Sequence, residues 1–151
     1  MSVVIRSASP SDAIELVELI KEHATYERAE LNLKGLALRL TEAMEVNTPK
    51  LDMFVAEIDN ALVGYCSLTR EFSTWAAQDY LHMDCLFVRR EMRGQRLGKS
   101  LFDRAIKFAK KVKIDQMQWQ TPGWNHSAIG FYQSIGATPI SKQRFEYRVT
   151  E

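Results

Sequence analysis

Apolar positions in this chain recur with two different periods, and the switches between them mark the elements. Residues 3–6 are short and β-branched, which predicts a first strand. Ser9-Pro10-Ser11-Asp12 follows, with Ser9 as a candidate N-cap, Pro10 suited to a first helical turn and Asp12 able to close a capping box. Ala13, Leu16, Val17, Ile20 and Ala24 then form one apolar stripe at helical spacing. A second helix is predicted over about residues 33–44, with Leu36, Leu40 and Met44 on one face and Pro49 as its bound. Residues 53–58 and 62–69 read as two strands joined at the turn pair Asp59-Asn60, an antiparallel hairpin. Residues 80–88 are a third long strand. Helical spacing returns at Leu97, Leu101, Ala105, Phe108, Ala109 and Val112, and residues 116–120 make another strand. A short helix opens at Asn125, a good N-cap, and stops at Gly136, with Pro139 beyond. Residues 144–149 read as a last strand. The order β-α-α-β-β-β-α-β-α-β predicts an α/β protein, a mixed sheet with helices packed on its faces.

The length of 151 residues fits one domain with a full core, and no repeat, low-complexity tract or linker divides residues 1–151. Twenty Lys and Arg against 19 Asp and Glu give no global attraction to nucleic acid or anionic membrane. The basic positions Lys99, Arg104, Lys107, Lys110, Lys111 and Lys113 read as a solvated helix face, without the interleaved aromatics of a nucleic-acid binder. The two cysteines, Cys66 and Cys85, form no CxxC and have no His at ligand spacing, so no metal site is expected. Both lie in strand-like runs, as small buried hydrophobes do. Met1-Ser2-Val3-Val4-Ile5-Arg6 lacks the pattern of a signal peptide, and no apolar run approaches the ~20 residues of a membrane span. A cytoplasmic protein is expected.

The candidate chemistry centres on Arg93-Gly94-Gln95-Arg96-Leu97-Gly98-Lys99, between a strand and a helix. Glycines there let backbone N–H groups approach a ligand, and the helix start favours a phosphate. Arg93, Arg96 and Lys99 add positive charge, so the stretch reads as a pyrophosphate cradle. Gly98-Lys99-Ser100 lacks the earlier glycine of a P-loop, and no Gly-x-Gly-x-x-Gly occurs.

Val88-x4-Arg93-Gly94-x-x-Leu97-Gly98 resembles the acetyl-CoA motif of the GNAT family of N-acetyltransferases. Trp124-Asn125-x-x-Ala128-Ile129-x-Phe131-Tyr132-x-x-x-Gly136-Ala137 is similar to that family's second signature, and Ile5-Arg6-x-Ala8-x3-Asp12 to its opening. Within the family the chain is most similar to the spermidine/spermine (diamine) N-acetyltransferases, through Ile20-Lys21-Glu22-x-Ala24-x-Tyr26-Glu27, Phe72-x-Thr74-Trp75 and Tyr80-Leu81 with Asp84 before Phe87-Val88. It departs from the pattern at Arg96, where the family usually has Gly, and at Asp84, where the polyamine enzymes usually carry Glu.

The resemblance implies a GNAT-like acyl-CoA N-acyltransferase fold, acetyl-CoA as cosubstrate, direct transfer to a small-molecule primary amine, and a homodimer. It implies that Leu86, Phe87 and Val88 offer backbone to the pantetheine arm. Arg93, Gly94, Gln95, Arg96, Leu97, Gly98 and Lys99 would hold the pyrophosphate, and Asn125 and Phe131 would border the coenzyme arm. Tyr132 would protonate the departing thiolate. A di- or polyamine acceptor follows from the match and from the acids Glu27, Glu30 and Asp84. Amino acids, aminoglycosides and protein lysines are the other acceptors in view, and a CoA-binding module without turnover is the reading from another class.

Elementary chemistry agrees. An alkyl amine with a pKa of about 10.4 is roughly one part in a thousand neutral near pH 7.4. A carboxylate that holds the ammonium and takes its proton helps, and Asp84, mid-strand, is the candidate. A phenol near pKa 10 can protonate a leaving thiolate near 8.5, the role of Tyr132. Residue type alone leaves alternatives open. Tyr132 shares an apolar helix face with Ala128, Phe131 and Ile135 and would equally serve as core, and Asp84 would equally serve as a hydrogen-bonded structural acid. His82, two residues from Asp84 on the same strand face, is a candidate base or acceptor contact, whereas His23 and His126 read as surface or core.

Overall fold

A computed structural model describes residues 2–45 and 50–150; Pro49, the expected bound of the second helix, lies outside them. The chain divides into two compact units, residues 1–120 and 121–151.

The first unit is built on a five-stranded sheet in the order β1-β2-β3-β4-β5, with β1 at Val3–Ser7, β2 at Asp52–Ile58, β3 at Ala61–Ser73, β4 at Gln78–Val88 and β5 at Met117–Gln118. The first four strands are antiparallel to their neighbours and β5 runs parallel to β4, so the sheet is mixed as expected. Asp59 and Asn60 both take positive φ, 50° and 65°, which matches the right-handed twist of a tight hairpin. Helix α1, Ala13–Tyr26, packs on β3 and on α2, Leu36–Glu45, while α3, Leu97–Lys111, packs on β2, β3 and β4.

The alternation of β2 and β3 divides the core. Met53, Val55, Leu62, Tyr65 and Phe87 pack with Leu16 and Leu19 of α1. Across the sheet, Phe54 meets Phe108 of α3 edge-on at 5.6 Å. Gly64 is the close approach that seats α3: a Cβ there would stand 2.8 Å from the Phe87 carbonyl and 3.3 Å from Leu101 Cδ1.

The Ser9–Asp12 capping box forms, with the Ser9 N–H donating to Asp12 Oδ2 at 2.8 Å. The same carboxylate takes two bonds from Arg6, which also reaches Glu57, so one guanidinium ties β1, β2 and the start of α1 together. The buried stripe of α1 is Ala13, Leu16, Leu19 and His23, rotated slightly from the expected one. Helix α2 begins three residues later than predicted because Gly35, at φ +67°, breaks helical geometry. Both β3 and β4 run past their expected ends, pairing Arg70–Leu81 through Ser73–Gln78. That extension is a polar two-stranded ribbon without apolar alternation, so periodicity does not reveal it.

In the second unit, α4 spans His126–Ser134 between its predicted caps, with Gly136 at φ +94°. The last strand expected at residues 144–149 does not form: no ladder includes it among the described residues. Phe145, Tyr147 and Val149 alternate as a strand would but stand exposed. Alternation supplies a strand's pattern, whereas a strand also needs a partner edge. No helix among the described residues is long and apolar enough to cross a membrane.

Candidate active site

Strand β4 changes character halfway along. It pairs with β5 only at Leu81–Met117 and His82–Gln118, sealed by the Leu81 N–H on the Gln116 carbonyl at 3.0 Å. Its other edge stays paired to β3 as far as Val88. Among the described residues, 83–88, including the predicted arm-binding Leu86, Phe87 and Val88, therefore carry an edge with no strand paired to it. An extended ligand can add there as a strand would.

Asp84 sits where this edge opens. Ser67 faces Cys85 and Leu68 faces Met83, so Asp84 is the extra residue of a β-bulge. A bulge turns a side chain out of the alternation, and the Asp84 carboxylate is 64% exposed. His82 Nε2 lies 3.8 Å from Asp84 Oδ1. Cys85 Sγ lies 3.7 Å from Oδ2.

The C-terminal end of α1 faces the same side of the sheet. His23 is buried, with Nδ1 2.7 Å from the Tyr65 hydroxyl and Nε2 3.6 Å from Glu27 Oε1. Its ring stacks on Phe87 at 4.9 Å. Burial pulls the imidazole below its ordinary value, and Glu27 pushes back. Burial raises the Tyr65 phenol as well and pushes the Cys85 thiol up to about 11. Glu30 lies exposed in the segment after α1.

The loop into α3 has the features of an anion cradle. Gly94 takes φ +81° and has no heavy atom within 4 Å of where a Cβ would stand. Arg96 follows at φ +62°, and the first helical bond runs from the Ser100 N–H to the Arg96 carbonyl. The N–H groups of Leu97, Gly98 and Lys99 thus precede the helical ladder, and no side chain of Arg96 caps them. These residues fit a pyrophosphate by their donors. The Arg93 side chain is used otherwise. Its Nε donates to the Val88 carbonyl at 3.0 Å, and its guanidinium lies over Tyr26 at 4.7 Å and Phe87 at 5.6 Å. Lys99 pairs with Asp103 along the helix, and Gln95 reaches Met92 Sδ at 3.7 Å.

In the second unit, buried Asn125 caps α4 by accepting from the Ala128 N–H at 3.3 Å. Tyr132 is half-buried, its ring 5.5 Å from Phe131 in an edge-on pair.

Residue type alone reads His23 as surface or core and Cys85 as a small hydrophobe, and does not single out Tyr65. The signal was present in part: His23 falls four residues after Leu19 on the buried stripe. A polar residue on such a stripe needs a partner, which only the fold supplies.

The family model of the acetyltransferase (GNAT) family matches residues 16–137. Thialysine N-epsilon-acetyltransferase of Caenorhabditis elegans is 26% identical over 147 residues, covering 96% of this chain and 90% of that protein. The Bos taurus protein of the same name is 28% identical over 150 residues, covering 93% and 86%. The crystal structure of ribosomal-protein-alanine N-acetyltransferase from Brucella melitensis biovar Abortus 2308 superposes with a TM-score of 0.76 at 17% identity, over 97% of this chain and all of that one, a likeness of fold.

Proposed function

Since this chain belongs to the acetyltransferase (GNAT) family and is an N-acetyltransferase, we propose that it moves the acetyl group of acetyl-CoA directly onto the primary amine of a small dicationic or polycationic acceptor. The observation that carries this reading is Asp84, lifted out of register by the bulge at the point where β4 and β5 part.

The acetyl thioester supplies the activated acyl group; the remaining work belongs to the chain. The open edge at Leu86, Phe87 and Val88 takes the coenzyme arm through its backbone. Gly94, Gln95, Arg96 and the N–H groups of Leu97, Gly98 and Lys99 take the pyrophosphate. Arg93 locks this loop to the end of β4 with its side chain. Asp84 holds the acceptor ammonium and removes its proton, with His82 beside it. Glu27 and Glu30 attract the acceptor's second positive charge. By the motif they occupy, Asn125 and Phe131 border the coenzyme arm and Tyr132 protonates the departing thiolate. The reading includes one domain spanning residues 1–151, acting in the cytoplasm as a homodimer, which light scattering on the purified chain checks.

A second acceptor class is favoured by the name its relatives carry, the ε-amine of an amino-acid side chain. A panel of spermidine, a diamine, a monoamine of equal length, thialysine, lysine and an aminoglycoside, assayed by release of free thiol from acetyl-CoA, separates them. The dication reading predicts that spermidine and the diamine exceed the monoamine; equal rates, or turnover of amino acids alone, reject it.

A further inference from the structure

The last turns of α1 brace the segment that leads from β4 into α3. Glu22 Oε1 lies 3.3 Å from Arg89 Nη1. The His23 ring stacks on Phe87 at 4.9 Å. The guanidinium carbon of Arg93 stands 5.6 Å from the Phe87 ring centroid and 4.7 Å from that of Tyr26. His23 and Tyr26 are three residues apart, on one face of the helix, so both rings reach the same strand end. Contacts therefore run without a break from His23 through Phe87 and Arg93 to Tyr26. Arg93 Nε fastens the series to the backbone by donating to the Val88 carbonyl at 3.0 Å.

The loop beyond Arg93 needs such a brace. Gly94 at φ +81° and Arg96 at φ +62° both occupy the left-handed region, which an arginine adopts only at a cost. The space around Gly94 is open, so packing does not hold the chain there. Backbone donors bind an anion well when their directions are fixed before it arrives. The Arg93 side chain is the tether one residue upstream, and a guanidinium that keeps its charge and stacks on ring faces suits that task. Tyr26 is 37% exposed, so core burial does not explain its place, whereas its ring face takes the cation.

Resting on the reading of residues 94–99 as the pyrophosphate cradle, we propose that Tyr26 is a positioning residue of the coenzyme site. Its ring holds the Arg93 guanidinium beside Phe87, and Arg93 in turn fixes the direction in which Gly94 and the N–H groups after it open. Tyr26 acts through Arg93, by its ring face and not by its hydroxyl. Its loss is felt at the pyrophosphate and not at the coenzyme arm, because Phe87 keeps its stack with His23 and β4 keeps its pairing with β3.

The test compares Tyr26→Leu, Tyr26→Phe and Gly94→Asp with the parent by calorimetric binding of acetyl-CoA. It also measures kcat/KM with S-acetylpantetheine, a donor that has the arm and the acetyl group without the pyrophosphate. Tyr26→Leu keeps the bulk and removes the ring face, and should weaken acetyl-CoA about threefold or more, the worth of a half-exposed cation–π contact. Its kcat/KM with S-acetylpantetheine should match the parent's. Tyr26→Phe keeps the ring and should bind acetyl-CoA as the parent does. In an Arg93→Met background, Tyr26→Leu should weaken acetyl-CoA no further, since the two residues act as one unit. A loss of less than about threefold in Tyr26→Leu overturns the inference. So does an equal loss with both donors, or a Phe variant as weak as the Leu variant. Gly94→Asp separates this inference from the reading beneath it. If that variant binds poorly while Tyr26→Leu binds normally, the cradle stands and the role of Tyr26 falls. If Gly94→Asp binds as the parent does, both fall.

Discussion

His23 Nδ1 and the Tyr65 hydroxyl face each other at 2.7 Å inside the core, joining the end of α1 to the middle of β3. Each leaves the other unsatisfied if removed. Tyr65→Phe should cost about 1–3 kcal/mol, the range for orphaning a buried polar group. His23→Leu should cost a similar amount. The double variant should cost less than the sum, because neither orphan remains. Denaturant unfolding of the four proteins measures the coupling, and strictly additive losses would show that the bond contributes nothing specific.

The same histidine makes stability depend on pH. Its folded pKa lies below the ordinary 6.5, so the unfolded chain binds the proton more tightly. Stability should then fall as pH drops from 6.5 toward the depressed folded value, and His23→Leu should flatten that window. Asp12 acts lower: its carboxyl is held below 3.8 by Arg6, so its contribution is lost only as pH falls beneath that. Thermal unfolding between pH 7 and 5 in both proteins checks the assignment, and parallel curves would reject it.

Arg96 holds φ +62° at the start of α3, a conformation that disfavours a side chain. Arg96→Gly should raise stability by up to about 1 kcal/mol, strain relief being partly offset by the entropy of glycine. Thermal melts read the sign. An unchanged or lower melting temperature would mean that the Arg96 side chain contributes more than the strain costs.

Gly94→Asp separates the cradle from the fold. The space around Gly94 is open, so the variant should fold, losing about 1 kcal/mol to its positive φ. Acetyl-CoA binding should fall severely, from the side chain's bulk and from its charge against phosphate. Calorimetry giving equal affinities for variant and parent would remove this loop from the coenzyme site.

Tyr132→Phe keeps the ring and its edge-on contact with Phe131. Stability should change by about 1 kcal/mol or less. Turnover should fall by about 10²-fold or more if the phenol donates the proton to the thiolate. A variant turning over at more than about half the parent rate would assign that proton to another donor.

Much of this architecture was legible in the sequence because local rules and burial agree there. The Ser9–Asp12 cap, the Asp59-Asn60 turn and the Asn125 and Gly136 ends of α4 are chain-local devices, and they form where their residue types place them. The long ribbon at the end of β3 and β4 was hidden because backbone pairing, not side-chain pattern, holds Arg70, Glu71 and Phe72. The bulge at Asp84 was hidden as well, since register is a property of two strands. It explains how His82, Asp84 and Cys85 come to cluster although a regular strand would turn neighbours to opposite faces. Arg93 was legible as a cation beside the coenzyme loop, while its turn inward onto Tyr26, Phe87 and the Val88 carbonyl depends on α1 being there to receive it.

The most direct test of the central claim is turnover by Asp84→Asn with spermidine and acetyl-CoA, followed by thiol release, with acetyl-CoA affinity measured on the same preparation. The bulge position predicts a loss of about 10²-fold or more in kcat, the usual worth of a positioned base, with coenzyme affinity unchanged. Turnover at the parent rate with intact coenzyme binding would contradict the assignment of proton removal to Asp84.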